Sequence, residues 1–517
     1  MTTATASPAK EGGLTRPERR IVIGVSIAVA ATFTVMASFN YMLNPMLEDL
    51  GLTAEDAGFA LQLPNLAAIL VVFSAGSLGD RLGQRRVITF AAIAFIVGSV
   101  LVACAPAMPV ITVGLLVEGV GASAIMIVAL GLLGSRIEEP GARASAFAAF
   151  GAVNPLVYLV IPLLAGVAVH YVAWRMVPLM WAIFGVIALA ATRKLLPSSD
   201  AVMVTGELAT PLLAGVTVMA GVQWISWTNN LGIANSQSLA ALAVTLLALA
   251  ATAITYRRAK QPSLALGVLR RGAMPVLLII VLLAPFANLW FYMMLAFQHV
   301  YGLNAVETAV VMLPAQVAGV LGAVIARALL ARKGVTWAGT ILLIAVGVSL
   351  LLTLTVRQGS PVWVPALVVA LFSAAAIATS VPLTNAVMDS AGPGESGSAS
   401  AVRGAAGSIG AALGVVLMGS VVFGAVQANM VDEIAATGQP QETAASMVAD
   451  LEAASQAPNP ASPYPVPGEE EAFLKDAFAR SMLNGIYADG VVGAGIAFAS
   501  AGLFFVSRRR QHQRPAG

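Results

Sequence analysis

Charge is scarce in this chain. Asp, Glu, Lys and Arg make up 10% of its 517 residues, against about a quarter in an ordinary soluble domain, and 58% of the residues are apolar. A water-soluble chain of this length would divide into several domains with polar surfaces between them. Cysteine is almost missing. Cys104 stands alone, which excludes an intrachain disulfide and any thiolate metal cluster. Histidine is nearly as rare: His170 and His299 fall in turns and His512 in the tail, so they form no metal set. Neither His-Glu-x-x-His nor Gly-x-Ser-x-Gly occurs, so the sequence signals no zinc hydrolase and no serine nucleophile elbow. The net charge of +3 is scattered over short loops and leaves no footprint for nucleic acid.

Apolar runs fill the chain instead, each near the ~20 residues that a bilayer-spanning helix needs. About fourteen are present, and the first, 21–46, is too long for a signal-peptide core and lacks an Ala-x-Ala cleavage site. With both ends placed inside, 24 of the 28 Lys and Arg lie on the cytoplasmic side, and only Arg175, Arg357, Lys475 and Arg480 lie outside. The positive-inside rule demands such an asymmetry, and an odd number of spans would destroy it. The expectation is an all-α, multi-pass protein of the cell membrane with both termini cytoplasmic.

An internal repeat points to a duplicated unit. Residues 140–152 (PGARASAFAAFGA) align with 393–405 (PGESGSASAVRGA) with seven identities in thirteen positions, and Leu63-Pro64 matches Leu313-Pro314. Two halves about 250 residues apart fit two six-helix bundles plus two inserted spans, a parallel-repeat layout in which substrate binds between the halves. The expected organisation is a cytoplasmic tail (1–20), an N-terminal bundle (21–192), two extra spans with a linker (193–272), a C-terminal bundle (273–506) and a second cytoplasmic tail (507–517). Within the last bundle, residues 425–480 form a long extracytoplasmic loop with nine acids against two basic residues, read as an acidic spacer or as a docking surface for an extracytoplasmic partner.

The most informative segment is the turn at 76–86, Gly-Ser-Leu-Gly-Asp-Arg-Leu-Gly-Gln-Arg-Arg, between two apolar runs. Its glycines permit a close reversal, Asp80 can cap or pair, and Arg81, Arg85 and Arg86 hold the turn on the cytoplasmic side. Gly76, Leu78, Gly79, Asp80, Arg81, Gly83, Arg85 and Arg86 match the signature loop of the major facilitator superfamily, with Gln84 the one departure. Residues 256–271, 297–314 and 394–414, with Trp174-Arg175, resemble segments of its fourteen-span drug:proton antiporter family. That resemblance implies a secondary transporter in which Gly76, Asp80, Arg81, Gly83, Arg85 and Arg86 act as a conformational switch.

Departures from the family pattern are as informative. Where relatives carry Arg-x-x-Gln-Gly in the fourth span, residues 115–119 read Leu-Leu-Val-Glu-Gly, so Leu115 replaces the arginine and Glu118 precedes the glycine. The fifth-span glycine-proline motif keeps only Pro162 and Gly166, which are read as bending the helix. Met36 stands near the usual first-span acid. An ionised carboxylate near mid-membrane costs several kcal/mol and is retained chiefly for function, so Glu118 is the candidate proton-coupling group, against the alternative of a protonated acid hydrogen-bonded to a neighbouring helix. Arg403 is read as a snorkelling or loop-pairing residue, and Asp389 and Asp489 as interfacial.

Polar residues in the spans that face the centre of this fold sketch a substrate cavity: Asn40, Tyr41, Asn44, Asn65, Asn154, Tyr158, Asn288, Trp290, Tyr292 and Asn385. Asn40 and Asn44 share one helix face. A mostly apolar site with few orienting groups suits a hydrophobic or amphipathic small molecule. The functional expectation is proton-coupled export of such a compound by alternating access, with no cofactor. A uniporter, an importer or a lipid or glycolipid flippase on the same fold is the alternative. A polytopic lipid-modifying enzyme is less favoured, because no nucleophile or metal constellation is visible.

Overall fold

Helix boundaries follow local chemistry. The first helix, α1 (Arg16–Leu50), opens with a capping box in which Thr15 and Glu18 each satisfy the other's backbone N–H, and it closes on Gly51. The computed structural model describes residues 14–52, 54–198, 209–259, 267–303, 305–392, 395–411, 414, 430–431 and 469–512. Every regular element among these residues is helical. After α1 come α2 (Ala54–Leu82), α3 (Gln84–Ala103), α4 (Met108–Arg136), α5 (Pro140–Tyr171), α6 (Met176–Leu195), α7 (Ala209–Leu231) and α8 (Ser236–Arg258). The second half holds α9 (Met274–Leu283), α10 (Leu289–His299), α11 (Ala305–Leu351), α12 (Trp363–Met388), α13 (396–411) and α14 (Glu469–His512). The acidic segment 425–480 lies largely outside the described residues.

Ten of the described stretches are long and apolar enough to cross a membrane, and Leu66–Gly79 and Ala209–Ile225 are shorter apolar helices. One of the ten, Val310–Thr355, is broken at Gly334, whose φ of 71° lies in the left-handed region. Gly83, between α2 and α3, has a φ of 89°. Both glycines follow a basic turn and stand 251 positions apart, so the second half reverses its chain as the first does.

In the first half α1 packs on α4, α5 and α6, α3 on α4 and α6, and α2 on α4. In the second, α11 packs on α12 and α14, and α14 also touches α9 and α10. The pair α7–α8 sits at the side, with α7 against α2. Buried apolar residues form one large cluster through the first half and into the second, and another around Phe286, Phe297 and Phe372. Large apolar side chains also point outward, among them Phe90 at 67% and Leu247 at 71% exposure. A water-soluble surface would not tolerate so many; a surface solvated by lipid tails requires them.

Candidate functional site

Glu118 sits where three helices come into near contact. A Cβ on Gly98 of α3 would stand 2.3 Å from the Glu118 backbone nitrogen, and one on Gly119 would stand 2.9 Å from Pro64 Cα of α2. The absence of side chains there lets α2, α3 and α4 cross in near contact, which fixes the Glu118 backbone from two sides. Its side chain is only 1% exposed, and neither carboxyl oxygen has a hydrogen-bond partner among the described residues.

The carboxyl lines a cavity of about 550 Å³. Thr32, Phe33, Val35 and Met36 of α1 form one wall, and Pro64, Ile69 and Val72 of α2 another. Helix α4 adds Glu118, Ser123, Met126, Ile127 and Leu130, and Phe150 comes from α5. Gln223 of α7 and Arg403, Gly404, Gly407 and Ser408 of α13 complete it, so both halves of the chain contribute. Most of the lining is apolar. Glu118 and Arg403 are the two charged residues among its described lining, and the buried Arg403 Nε has no partner among the described residues.

Arg403 therefore does not snorkel to a loop: α13 carries it against the first half, facing the cavity. Sequence reasoning missed it there, although an arginine within an Ala-, Gly- and Ser-rich apolar helix was the available signal. Gln223, which its neighbours Trp224 and Trp227 make look interfacial, also faces the cavity. Met36 is 58% exposed, and that exposure opens into the cavity. Leu115 is fully buried in the packing of the first half.

The polar residues expected around a substrate are placed differently. The side chains of Asn40, Asn44, Asn65 and Asn288 lie outside the described residues. Tyr41 is 39% exposed and stands beside Gly166, while α5 remains one helix through Pro155 and Pro162. Asn154 is half-buried, and Tyr158 meets Trp290 edge-on at 6.4 Å between ring centroids. Tyr292 is buried in the second apolar cluster, within electrostatic reach of Asp489. Asn385 is buried and accepts a hydrogen bond from Arg143 Nε at 3.2 Å. None of these six lines the cavity around Glu118.

Asp489 differs from its expected interfacial position. It is 1% exposed, and its carboxyl oxygens lack partners among the described residues, because α14 turns this face onto α10 and the end of α11. Asp389 joins the two halves. It pairs with Arg143 of α5 and accepts from Arg508 Nη2 at 3.1 Å.

The signature turn lies at the same end as this cluster. A Cβ on Gly76 would approach the Gly397 carbonyl oxygen of α13 to 2.4 Å, so α2 and α13 touch there. Arg85 donates to the Arg193 carbonyl oxygen at 2.6 Å, and Arg86 is exposed. Arg81 is half-buried, whereas the Asp80 side chain lies outside the described residues. Gln84, the departure from the motif, is buried and hydrogen-bonds Ser135 of α4 at 3.3 Å. At the opposite end Asp49 accepts from Trp174 Nε1 at 3.0 Å and pairs with Arg175, which stacks 4.4 Å from the Trp174 ring centroid. These contacts hold the Asp49 carboxyl below its ordinary pKa of 3.8, chiefly through the hydrogen bond from Trp174 and then that from Arg175.

The sequence model of the Major Facilitator Superfamily matches residues 25–415. The chain belongs to this superfamily. It is similar to the puromycin resistance protein pur8 of Streptomyces alboniger, at 26% identity over 83% of this chain and 87% of that one. The methylenomycin A resistance protein of Streptomyces coelicolor is 25% identical over 82% of this chain and 90% of its own length. The drug efflux pump JefA of Mycobacterium tuberculosis is 24% identical over 97% of this chain and all of that one. Among solved structures, the human organic anion transporter MFSD10 (TETRAN) superposes with a TM-score of 0.63 at 13% identity, covering 95% of this chain and 100% of that chain. The proton:xylose symporter XylE gives 0.56 at 13% identity, covering 92% and 94%. The fold is that of a major facilitator transporter, and the protein is a multi-pass protein of the plasma membrane.

Proposed function

We propose that this transporter exports a small hydrophobic or amphipathic compound and draws on the proton gradient through Glu118. One observation carries the reading: a mostly apolar cavity of about 550 Å³, walled by both halves of the chain, holds a buried carboxyl with no partner among the described residues. Such a volume and lining suit a drug-sized molecule. The names of the relatives, three of which are resistance or efflux proteins, support the outward direction.

In this reading the chain has fourteen spans, two six-helix bundles plus the inserted pair α7–α8, and both termini in the cytoplasm. The basic end is then cytoplasmic, and the contacts of α2 with α13 and of Arg143 with Asp389 close it. Rocking of the halves about the cavity would break those contacts and open the site inward. Glu118 takes a proton while the cavity faces outward and releases it inward as the cavity rehydrates, and substrate binding favours the release. The residues of the 76–86 turn stabilise the closed end. The protein is read as a carrier and not an enzyme.

A uniporter on the same fold is the second reading, favoured by Met36 in the cavity wall near the usual first-span acid. Everted membrane vesicles separate the two. Uptake of compounds from a chemically diverse panel should exceed equilibrium when a pH gradient is imposed and fall to equilibration when it is collapsed. Uptake indifferent to the gradient would leave the uniporter.

A further inference from the structure

We infer that the cavity selects amphiphiles whose polar group is a hydrogen-bond acceptor, neutral or anionic, seated on the Arg403 guanidinium, and that it rejects organic cations. The inference rests on reading this cavity as the substrate site, and it concerns which molecules that site takes.

A guanidinium keeps its charge throughout the physiological pH range and carries five N–H donors in a fixed planar fork, with no capacity to accept. Arg403 lies in the cavity wall on α13, and its buried Nε has no partner among the described residues. The wall around it is largely apolar, with Phe33, Met126 and Phe150 among its residues, so the charge is screened far less than it would be in water. A buried donor left unpaired is costly, and a ligand that supplies an acceptor removes the cost.

Among the described lining residues only Glu118 is acidic. Glu118 can at best neutralise Arg403, since each carries one charge. A carboxylate occupies at most two of the five N–H donors, which leaves others for a ligand carbonyl. The other polar residues of the described lining, Thr32, Ser123, Gln223 and Ser408, are uncharged. A ligand ammonium entering this space meets Arg403 unopposed when Glu118 is neutral. When Glu118 is ionised, its charge and that of Arg403 sum to zero, and the ammonium gains no net attraction. A carbonyl or carboxylate finds donors in both states.

The test uses three probes on one ring system: 2-naphthoate, 2-naphthamide and 2-naphthylmethylammonium, titrated calorimetrically against the purified full-length protein. The acid and the amide should bind, and the ammonium should bind at least about tenfold more weakly, roughly 1.4 kcal/mol. Arg403→Gln should weaken the naphthoate about tenfold or more and abolish discrimination against the ammonium. Arg403→Lys, which keeps the charge without the fork, should still reject the ammonium while holding the naphthoate several-fold less tightly; it also guards against a folding defect in the glutamine variant. Ammonium binding equal to or tighter than that of the amide overturns the inference. So does discrimination unchanged by Arg403→Gln, or no binding of any probe to the parent. Sign-selective binding that depends on Arg403, without uptake of the probes into everted vesicles, would overturn the export reading and leave this inference standing. Uptake of the ammonium, indifferent to Arg403, would do the reverse.

Discussion

At the scale of single residues, Glu118 carries the heaviest burden. Its carboxyl is enclosed by helices that approach through glycines, and no donor among the described residues offsets an ionised state. Glu118→Gln keeps the shape of the protonated acid. The variant should bind substrate and exchange it down a gradient, but its pH-driven accumulation should fall at least about tenfold, the effect of losing roughly 1.4 kcal/mol of coupling. Accumulation equal to the parent's in everted vesicles would make Glu118 structural. Asp80 calls for a different variant. It stands in the last turn of α2, one residue before Arg81, where a negative charge can pair with a neighbouring cation. Asp80→Asn removes only the charge, so the protein should insert normally while turnover falls about tenfold or more, through a shift of 1–2 kcal/mol between the two facing states. Undiminished turnover at matched expression would end its role in the switch.

At the scale of helices, two contacts lend themselves to measurement. The first is the approach of α2 to α13. A side chain at Gly76 would collide with the Gly397 backbone, and overpacking of this kind costs about 1–3 kcal/mol. The cost falls on the state in which the helices touch, so Gly76→Val should favour the opposite one. Because Cys104 is the chain's lone cysteine, a Cys104→Ser background with a cysteine at Ser396 reports this directly. Ser396 is 9% exposed, and its labelling by an impermeant thiol reagent in everted vesicles should rise several-fold with Gly76→Val, in line with that energy. Unchanged labelling would mean that the contact does not gate access. The second joins the end of α1 to Trp174 and Arg175, just ahead of α6. Asp49 has a lowered pKa in the folded protein, so its contribution to stability is present above the unfolded value of 3.8 and is lost as pH falls through the folded one. The pair is exposed, so the effect is small and screened by salt. Asp49→Asn should lower thermal stability slightly at neutral pH and converge with the parent below the folded pKa. A constant difference across that range would assign the effect to packing.

At the scale of the whole molecule, the distribution of charge sets the orientation in the membrane. The Arg81 turn, Arg143 and the Arg508 end gather at one end of the bundle through Arg85–Arg193 and Arg143–Asp389–Arg508 contacts, whereas Arg175 lies at the other with Asp49. A reporter fused after Arg510 should therefore be cytoplasmic, and one inserted near Ser455 should be outside. Finding both on the same side would remove the fourteen-span arrangement.

Much of this molecule was legible in its residues. Apolar runs of bilayer length, few charges and basic turns on alternate loops determine an all-helical membrane protein, because unpaired backbone groups cannot be left in lipid. The 76–86 turn and the 140/393 repeat lead to the major facilitator fold, since both are short-range patterns. The cost of a carboxylate among apolar neighbours also marks Glu118 in the sequence alone. Only tertiary structure decided what shares its cavity. Arg403 lies 285 positions away, and the rotation of α13 that brings it to the cavity depends on contacts with α2 and α4 that no local pattern encodes. The same holds for Asn385, whose polarity suggested a substrate contact and which instead receives the Arg143 side chain from the other half of the chain. Composition determines that a helix will cross the membrane. Which face it turns toward the centre is decided by the helices packed against it.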